Sequence, residues 1–327
     1  MTIIDTILNR PEFADRPPVL LDIGAAGEID RKWRNIAPYS VCIAFDADDR
    51  EMGYVVRETS GYRKLYVYNC IVTDAVTGEA DFHLTSSPQC SSLLDPRQES
   101  LDNWAFGDYF RVDRNVRLKT VALPDVLAEL GIDKVDWFKT DSQGTDLRLF
   151  KSLGDERIRR VLAAEFEPGF IDAYQGEDKL WSLLAYMEGR PFWMTSLQVK
   201  GSQRISRNIG ERRLNPLERR FLPALLKASP GWGEVAYLNT FGGDPECLDM
   251  RDYLLGWVFA FIEEQYGFAM EIAARGYERF NDPLFPLLEA EALVRLRYGF
   301  LRVPAYLLTT IGRKLARRFA ALRKGGE

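Results

Sequence analysis

The chain has 327 residues, 46% of them hydrophobic and 28% charged, with a net charge of −5. That composition suits a folded domain of about 200–250 residues plus an accessory segment, and it excludes disordered, collagen-like and disulfide-scaffold classes. The charge is uneven: residues 295–327 hold nine Lys/Arg and one acid, a balance of +8 against −13 for the rest, which suggests a basic tail that meets something anionic.

Short apolar runs alternate with amphipathic stretches between residues 19 and 240, the pattern of a mostly parallel sheet with crossover helices. Val19 to Ile23 reads as a buried first strand, followed by a helix from about Glu28 and a second strand from Val41 to Phe45. Leu65 to Tyr68 gives a third strand. Residues 71–84 read as a strand pair turning at Thr77-Gly78. The stretch from Thr120 to Gly131 has helical spacing and a glycine stop. Strands follow at 135–139, 161–166, 192–199 and 235–238, with helices at 144–153 and 177–188. From Pro245 onward the pattern is helical only, for three or four helices.

Four cysteines, Cys42, Cys70, Cys90 and Cys247, show neither a CxxC pair nor metal-ligand spacing; buried free thiols are expected. No apolar leader opens the sequence and no apolar run reaches the ~18 residues a spanning helix needs. These features predict a cytoplasmic protein.

Asp22-Ile23-Gly24-Ala25-Ala26-Gly27 places small residues just after the first strand, where backbone approaches a ligand closely. About twenty residues on, the second strand ends at Phe45-Asp46-Ala47-Asp48, and a carboxylate there can accept both hydroxyls of an adenosine ribose. The spacing DxGAAG departs from the GxGxxG that a dinucleotide pyrophosphate needs, which disfavours a dehydrogenase. An acid before the first glycine suits a ligand with an ammonium group, such as S-adenosylmethionine.

The segments LLDIGAAGEIDRKW, IAFDADDRE, CSSLLDP and VDWFKTDSQGTDLRLFKSLG resemble the motifs of the FkbM family of methyltransferases over residues 19–240. Two departures stand out: Ala47 replaces the family's usual proline, and Asp replaces Glu at 46 and 146. The resemblance implies an α/β, Rossmann-like class I methyltransferase fold with a seven-stranded, mostly parallel sheet, its last strand antiparallel and inserted beside the fifth. The domain would cover 1–244 with a basic insert at about 200–230, and 245–327 would be a helical extension. Asp22, Gly24, Ala25, Ala26 and Gly27 would then surround the methionine moiety, Asp46 and Ala47 the ribose, and Asn69, Cys70 and Ile71 the adenine.

Methyl transfer from a sulfonium needs chiefly in-line positioning of the acceptor, and a hydroxyl acceptor benefits from a base. Asp141, at the carboxyl end of the fourth strand of the parallel set, has three open roles: lone base, cofactor-orienting group, or metal ligand. In the last, Asp141, Glu165 and Glu167 would hold Mg2+ through hard oxygen donors. The single histidine, His83, reads as a half-buried strand residue. Ser91 and Ser92 match the family's Ser-Leu element and are candidate substrate or cofactor contacts.

In the insert, Arg204, Arg207, Arg212 and Arg213 either face an anionic acceptor or form a solvated loop. Along residues 304–324, Leu308, Ile311, Leu315, Phe319 and Leu322 share a helical face edged by basic residues. Such a helix either lies on an anionic membrane, as a peripheral contact at its inner face, or packs on its own domain. No nucleic-acid module accompanies it. The favoured reading is O-methylation of a sugar or glycan hydroxyl; the rival is a non-catalytic module of the same fold acting as a membrane or complex partner.

Overall fold

Chain segments rich in Val, Ile, Leu and Phe become strands in a computed structural model that describes residues 2–25, 29, 31–48, 50, 61–74, 77–242 and 247–302. The strands are β1 (Val19–Ile23), β2 (Val41–Asp46), β3 (Lys64–Asn69), β4 (Ile71–Thr73) and β5 (Gly78–Thr85). They continue as β6 (Val112–Ala122), β7 (Trp137–Thr140), β8 (Ala163–Phe166), β9 (Phe192–Ser202) and β10 (Ser229–Asn239). Seven of them form one sheet in the order β3-β2-β1-β7-β8-β10-β9. The pairs from β3 across to β8 are parallel, and β10 runs antiparallel to both β8 and β9. This order, with one antiparallel strand inserted beside β8, is the Rossmann-like methyltransferase fold expected from the sequence.

The helices of the sheet unit are α1 (Ile3–Leu8), α2 (Gln98–Leu101), α3 (Leu123–Glu129), α4 (Asp146–Ser152), α5 (Asp155–Arg160), α6 (Leu180–Met187), α7 (Arg207–Arg213) and α8 (Pro216–Leu225). Strand alternation sends Leu21, Ile23, Ile43, Phe45, Phe138 and Phe166 to one sheet face, where they pack with Leu123, Val126, Leu127, Leu147 and Phe150 of α3 and α4. The opposite face carries Trp137, which meets Trp33 at 5.7 Å between ring centroids.

Three local expectations are corrected. Residues 31–35 and 37–39 form short 3₁₀ turns, not the α-helix expected from Glu28; Pro38, tolerated in the first turn of the second, would break one helix running through both. The strands at 71–73 and 78–85 do not pair with each other. Instead β6 lies between them, parallel to β4 and antiparallel to β5, in a separate three-stranded sheet. Thr120, Val121 and Ala122 therefore belong to β6, and α3 starts only at Leu123, with Pro124 in its first turn, where a missing N–H costs nothing.

The described residues fall into two compact units, one up to Phe259 and one from Ala260. Helix α9 (Met250–Ile262) begins within the first. Its Arg251 is buried and forks onto Asp136, Nη2 to Oδ2 at 2.7 Å and Nη1 to Oδ1 at 2.8 Å, a geometry that satisfies both planar groups. Asp136 also accepts the Val19 N–H at 2.9 Å, so one ion pair joins the starts of β1, β7 and α9. In the second unit α10 (Tyr266–Phe280) and α11 (Leu284–Tyr298) pack on each other. Gly276 makes room there for the Phe285 ring, which a Cβ would meet at 2.3 Å. Among the described residues no helix is long and apolar enough to cross a membrane. The amphipathic stretch 304–324 lies outside the described residues.

Candidate active site

A cavity of about 700 Å³ opens at the carboxyl ends of β1, β2, β7 and β8, where a parallel sheet of this order leaves its crevice. One side is walled by Gly24, Asp46, Ala47, Cys70, Ile71 and Val72. The other carries Asp141, Gln143, Glu167, Tyr174, Trp232 and Glu234, with Phe106, Tyr109 and Phe110 from the loop after α2.

Gly24 has φ +81, and a Cβ on it would lie 2.1 Å from the Asp141 carbonyl oxygen. The Gly24 N–H donates to Phe45 O at 2.9 Å, the Ala25 N–H donates to the same oxygen at 3.1 Å, and the Asp141 N–H donates to Ile23 O at 2.8 Å. The ends of β1, β2 and β7 are thus drawn together, and only glycine fits at the meeting point. Ala26 and Gly27 lie outside the described residues.

Asp46 is buried at the end of β2 yet forms part of the cavity wall. Its Oδ1 accepts the Asp48 N–H at 2.8 Å, and Asn69 donates its side-chain amide to the Asp46 carbonyl at 3.0 Å. Asp48 is held by Arg50, and burial, which opposes ionisation, is overcome by that guanidinium, so its carboxyl stays below the usual range. Arg50 also donates to Ser91 Oγ at 2.9 Å, tying the end of β2 to the serine loop. Ser91 lines the cavity, whereas the fully buried Ser92 hydroxyl donates to Gln143 O at 2.8 Å, behind the wall.

The carboxyls of Asp141 and Glu167 act on each other across the ends of β7 and β8. Burial pushes the Asp141 carboxyl above its ordinary range, against the pull of Lys139. Burial first, and then the Asp141 charge, push Glu167 up to about 10. Two close carboxyls in a dry site do not both ionise readily, and at neutral pH Glu167 holds a proton. The Gln143 side-chain N–H donates to Asp141 Oδ1, and its carbonyl accepts from the Tyr174 hydroxyl at 2.9 Å. Gln143 does this from φ +55, a strained conformation for a residue with a Cβ.

Beneath them, Asp146 is buried and accepts from the Thr140 hydroxyl (3.2 Å), the Ser142 N–H (2.9 Å) and the Glu167 N–H (2.7 Å). Burial lifts its carboxyl to about 6. Its role is to pin the loop after β7 to the end of β8.

Two predicted carboxylates are placed elsewhere. Asp22 is fully buried in mid-strand with Lys139 Nζ 2.7 Å from its Oδ1. Glu165 takes Lys32 Nζ at 2.8 Å and the Trp137 indole N–H at 2.6 Å. The three-carboxylate set Asp141, Glu165 and Glu167 therefore does not assemble. Among the described residues no three acid, imidazole or thiol groups converge to hold a metal ion. His83 lies on β5, outside the cavity wall, with Nδ1 2.9 Å from Asn115 Oδ1 and Nε2 3.0 Å from Asp95.

Arg204, Arg207, Arg212 and Arg213 are not on the cavity wall. Arg207 pairs with Glu211 at 2.8 Å and Asp108 at 3.3 Å. All four cysteines are free; Cys70 and Cys90 line the cavity, and burial pushes their thiols to about 11 and about 12. The aromatic wall had one sequence signal, the density of rings in Trp104 to Phe110. Tyr174, Trp232 and Glu234 had none, because their approach depends on chain segments far apart in sequence.

Fold and cavity together define a chain of the class I methyltransferase architecture with a carboxylate-rich crevice. Among solved structures it is similar to a precorrin-6y C5,15-methyltransferase from Geobacter metallireducens GS-15, at 10% identity over 72% of this chain and 86% of that chain, with a TM-score of 0.31. No protein-family model and no curated protein matches the chain.

Proposed function

We propose that this chain is an S-adenosylmethionine-dependent O-methyltransferase of the FkbM kind, acting on a hydroxyl of a neutral sugar or glycan. The observation that carries the reading is Asp46, a buried carboxylate that lines the same cavity as the Asp141–Glu167 pair. The cradle fits the cofactor: Asp46 suits a ribose diol, and Cys70, Ile71 and Val72 offer an apolar bed for adenine. When bound, S-adenosylmethionine supplies an electrophilic methyl group.

The protein's own part is to position and to take a proton. Asp141 is the base, its carboxylate held toward the cavity by Gln143 and by the neutral Glu167 carboxyl. Its raised affinity for protons makes it a better acceptor from a hydroxyl than an ordinary aspartate. Tyr174, Phe110 and Trp232 provide flat faces for a ring, and exclude water from it. A neutral acceptor is favoured because the cavity wall carries several carboxylates and Lys200 as its cation, while the insert's arginines are elsewhere.

Calorimetry with S-adenosylmethionine tests the cradle: the full chain binds, and Asp46→Ala weakens binding about tenfold or more, the cost of leaving a ribose diol unmet. A methyl-transfer screen over neutral and acidic glycans then tests the acceptor. Absence of cofactor binding by the full chain overturns the reading.

A further inference from the structure

We infer that the insert between β9 and β10 is a docking surface for an anionic lipid bilayer, independently of the methyl-transfer reading. Residues 203–228 hold seven basic residues and two acids, a balance of +5 in a chain whose net charge is −5. Two helices, α7 and α8, make up most of it. It is a built element: Asn215 and Glu218 form a reciprocal cap on α8, each bond 2.9 Å, the Gln203 N–H donates to Pro223 O at 3.1 Å, and the Arg207 N–H donates to Asp102 O at 2.9 Å.

Leu217 and Leu225 stand two turns apart on one face of α8. A helix that packs on its own domain buries such a stripe, but here Leu217 is 68% exposed and Leu225 76% exposed. Ile209 and Leu226 are exposed as well. The cations Arg212 and Arg213 of α7 and Arg219 of α8 are exposed in the same insert. Exposed leucines and arginines on two consecutive short helices are the chemistry of the bilayer interface: the apolar stripe enters the headgroup boundary, and the cations meet anionic headgroups. The excess of cations selects lipid charge, which an apolar protein groove does not offer.

Topology sets the orientation. Ser202 and Ser229 pair at the ends of β9 and β10, and Lys200, Gly231 and Trp232 just inside those ends line the cavity. A docked insert therefore holds the cavity's end of the sheet toward the lipid.

Flotation of the full-length protein on vesicles tests this. Binding is expected to phosphatidylcholine vesicles containing phosphatidylserine and not to phosphatidylcholine alone. Leu217→Ser/Leu225→Ser abolishes flotation, and Arg212→Ala/Arg213→Ala weakens it about tenfold or more, with circular dichroism unchanged because all four side chains are exposed. A tail variant, Arg313→Ala/Lys314→Ala/Arg317→Ala, keeps flotation. The inference is overturned if the full chain does not float, or if the insert variants float normally while the tail variant does not. It is equally overturned if sedimentation shows a dimer that the leucine variant dissociates, for then the stripe is covered by a second copy.

Discussion

Lys139 on β7 reaches across to Asp22 on β1, Nζ to Oδ1 at 2.7 Å, because the strand register sets these two residues side by side. The next strand continues the row, with Lys139 opposite Glu165 of β8. Burial alone would lower the Lys139 ammonium; Asp22 reverses that and raises it. A charge row thus crosses one face of the sheet, below the cavity.

Replacing Lys139 by Met leaves the fully buried Asp22 carboxylate without its cation. Losing one partner of a buried pair costs about 3–5 kcal/mol. Urea denaturation of Lys139→Met is expected to show that loss, and a variant as stable as the parent would refute the pair's structural role.

Asp141→Asn keeps the shape of the site and removes the base. Under the proposed reaction, kcat falls about 10²–10⁴-fold, while cofactor binding by calorimetry changes little. In the unaltered chain the rate rises with pH through an apparent value above the ordinary aspartate range, since burial raises Asp141. That value belongs to the Asp141–Glu167 pair as a unit.

Glu167 makes stability depend on pH. Burial and the neighbouring Asp141 push its carboxyl up to about 10 in the folded chain, well above an ordinary glutamate, so the folded chain keeps a proton that the unfolded chain releases. The contribution is fully present below the unfolded value and is lost as pH climbs toward the folded one. Glu167→Gln, neutral at every pH, removes that slope. Thermal melts from pH 5 to pH 9 are expected to show the variant gaining progressively on the parent toward the alkaline end, by about 2–4 °C for each kcal/mol the parent loses. Parallel curves would exclude the protonated Glu167.

Gly24→Ala drives a Cβ into the Asp141 carbonyl at φ +81. The backbone cannot yield without parting β1 from β7, and a loss of about 3 kcal/mol or more is expected. Denaturant titration measures it. Gly131→Ala makes a comparison, since its added Cβ meets nothing within 4 Å although φ is +66; its loss should be smaller.

The separate sheet shows where local pattern misleads. Val121, Val126, Leu127 and Leu130 have helical spacing, yet Thr120 to Ala122 finish β6, which pairs with β4 and β5 from both sides. Pro124 marked the true helix start within that window. The partners of β6 lie far back in the sequence, and pairing over such a span leaves no local trace.

By itself the sequence determined the strands of the main sheet, their mostly parallel run, the glycine after β1 and the acid at the end of β2, because burial periodicity and backbone steric limits act locally. It also singled out Asp22, Asp46, Asp141, Glu165 and Glu167 as the carboxylates of interest. Only the tertiary structure decided which of them meet. Asp22 and Glu165 lie within the ladder, so their side chains stand on a sheet face where Lys139 and Lys32 neutralise them. Asp141 and Glu167 lie one residue beyond the ends of β7 and β8 and both line the cavity. A difference of two residues along a strand separates a structural charge from a candidate catalytic one, since residues two apart share a sheet face and only the later one lies past the strand end, at the cavity.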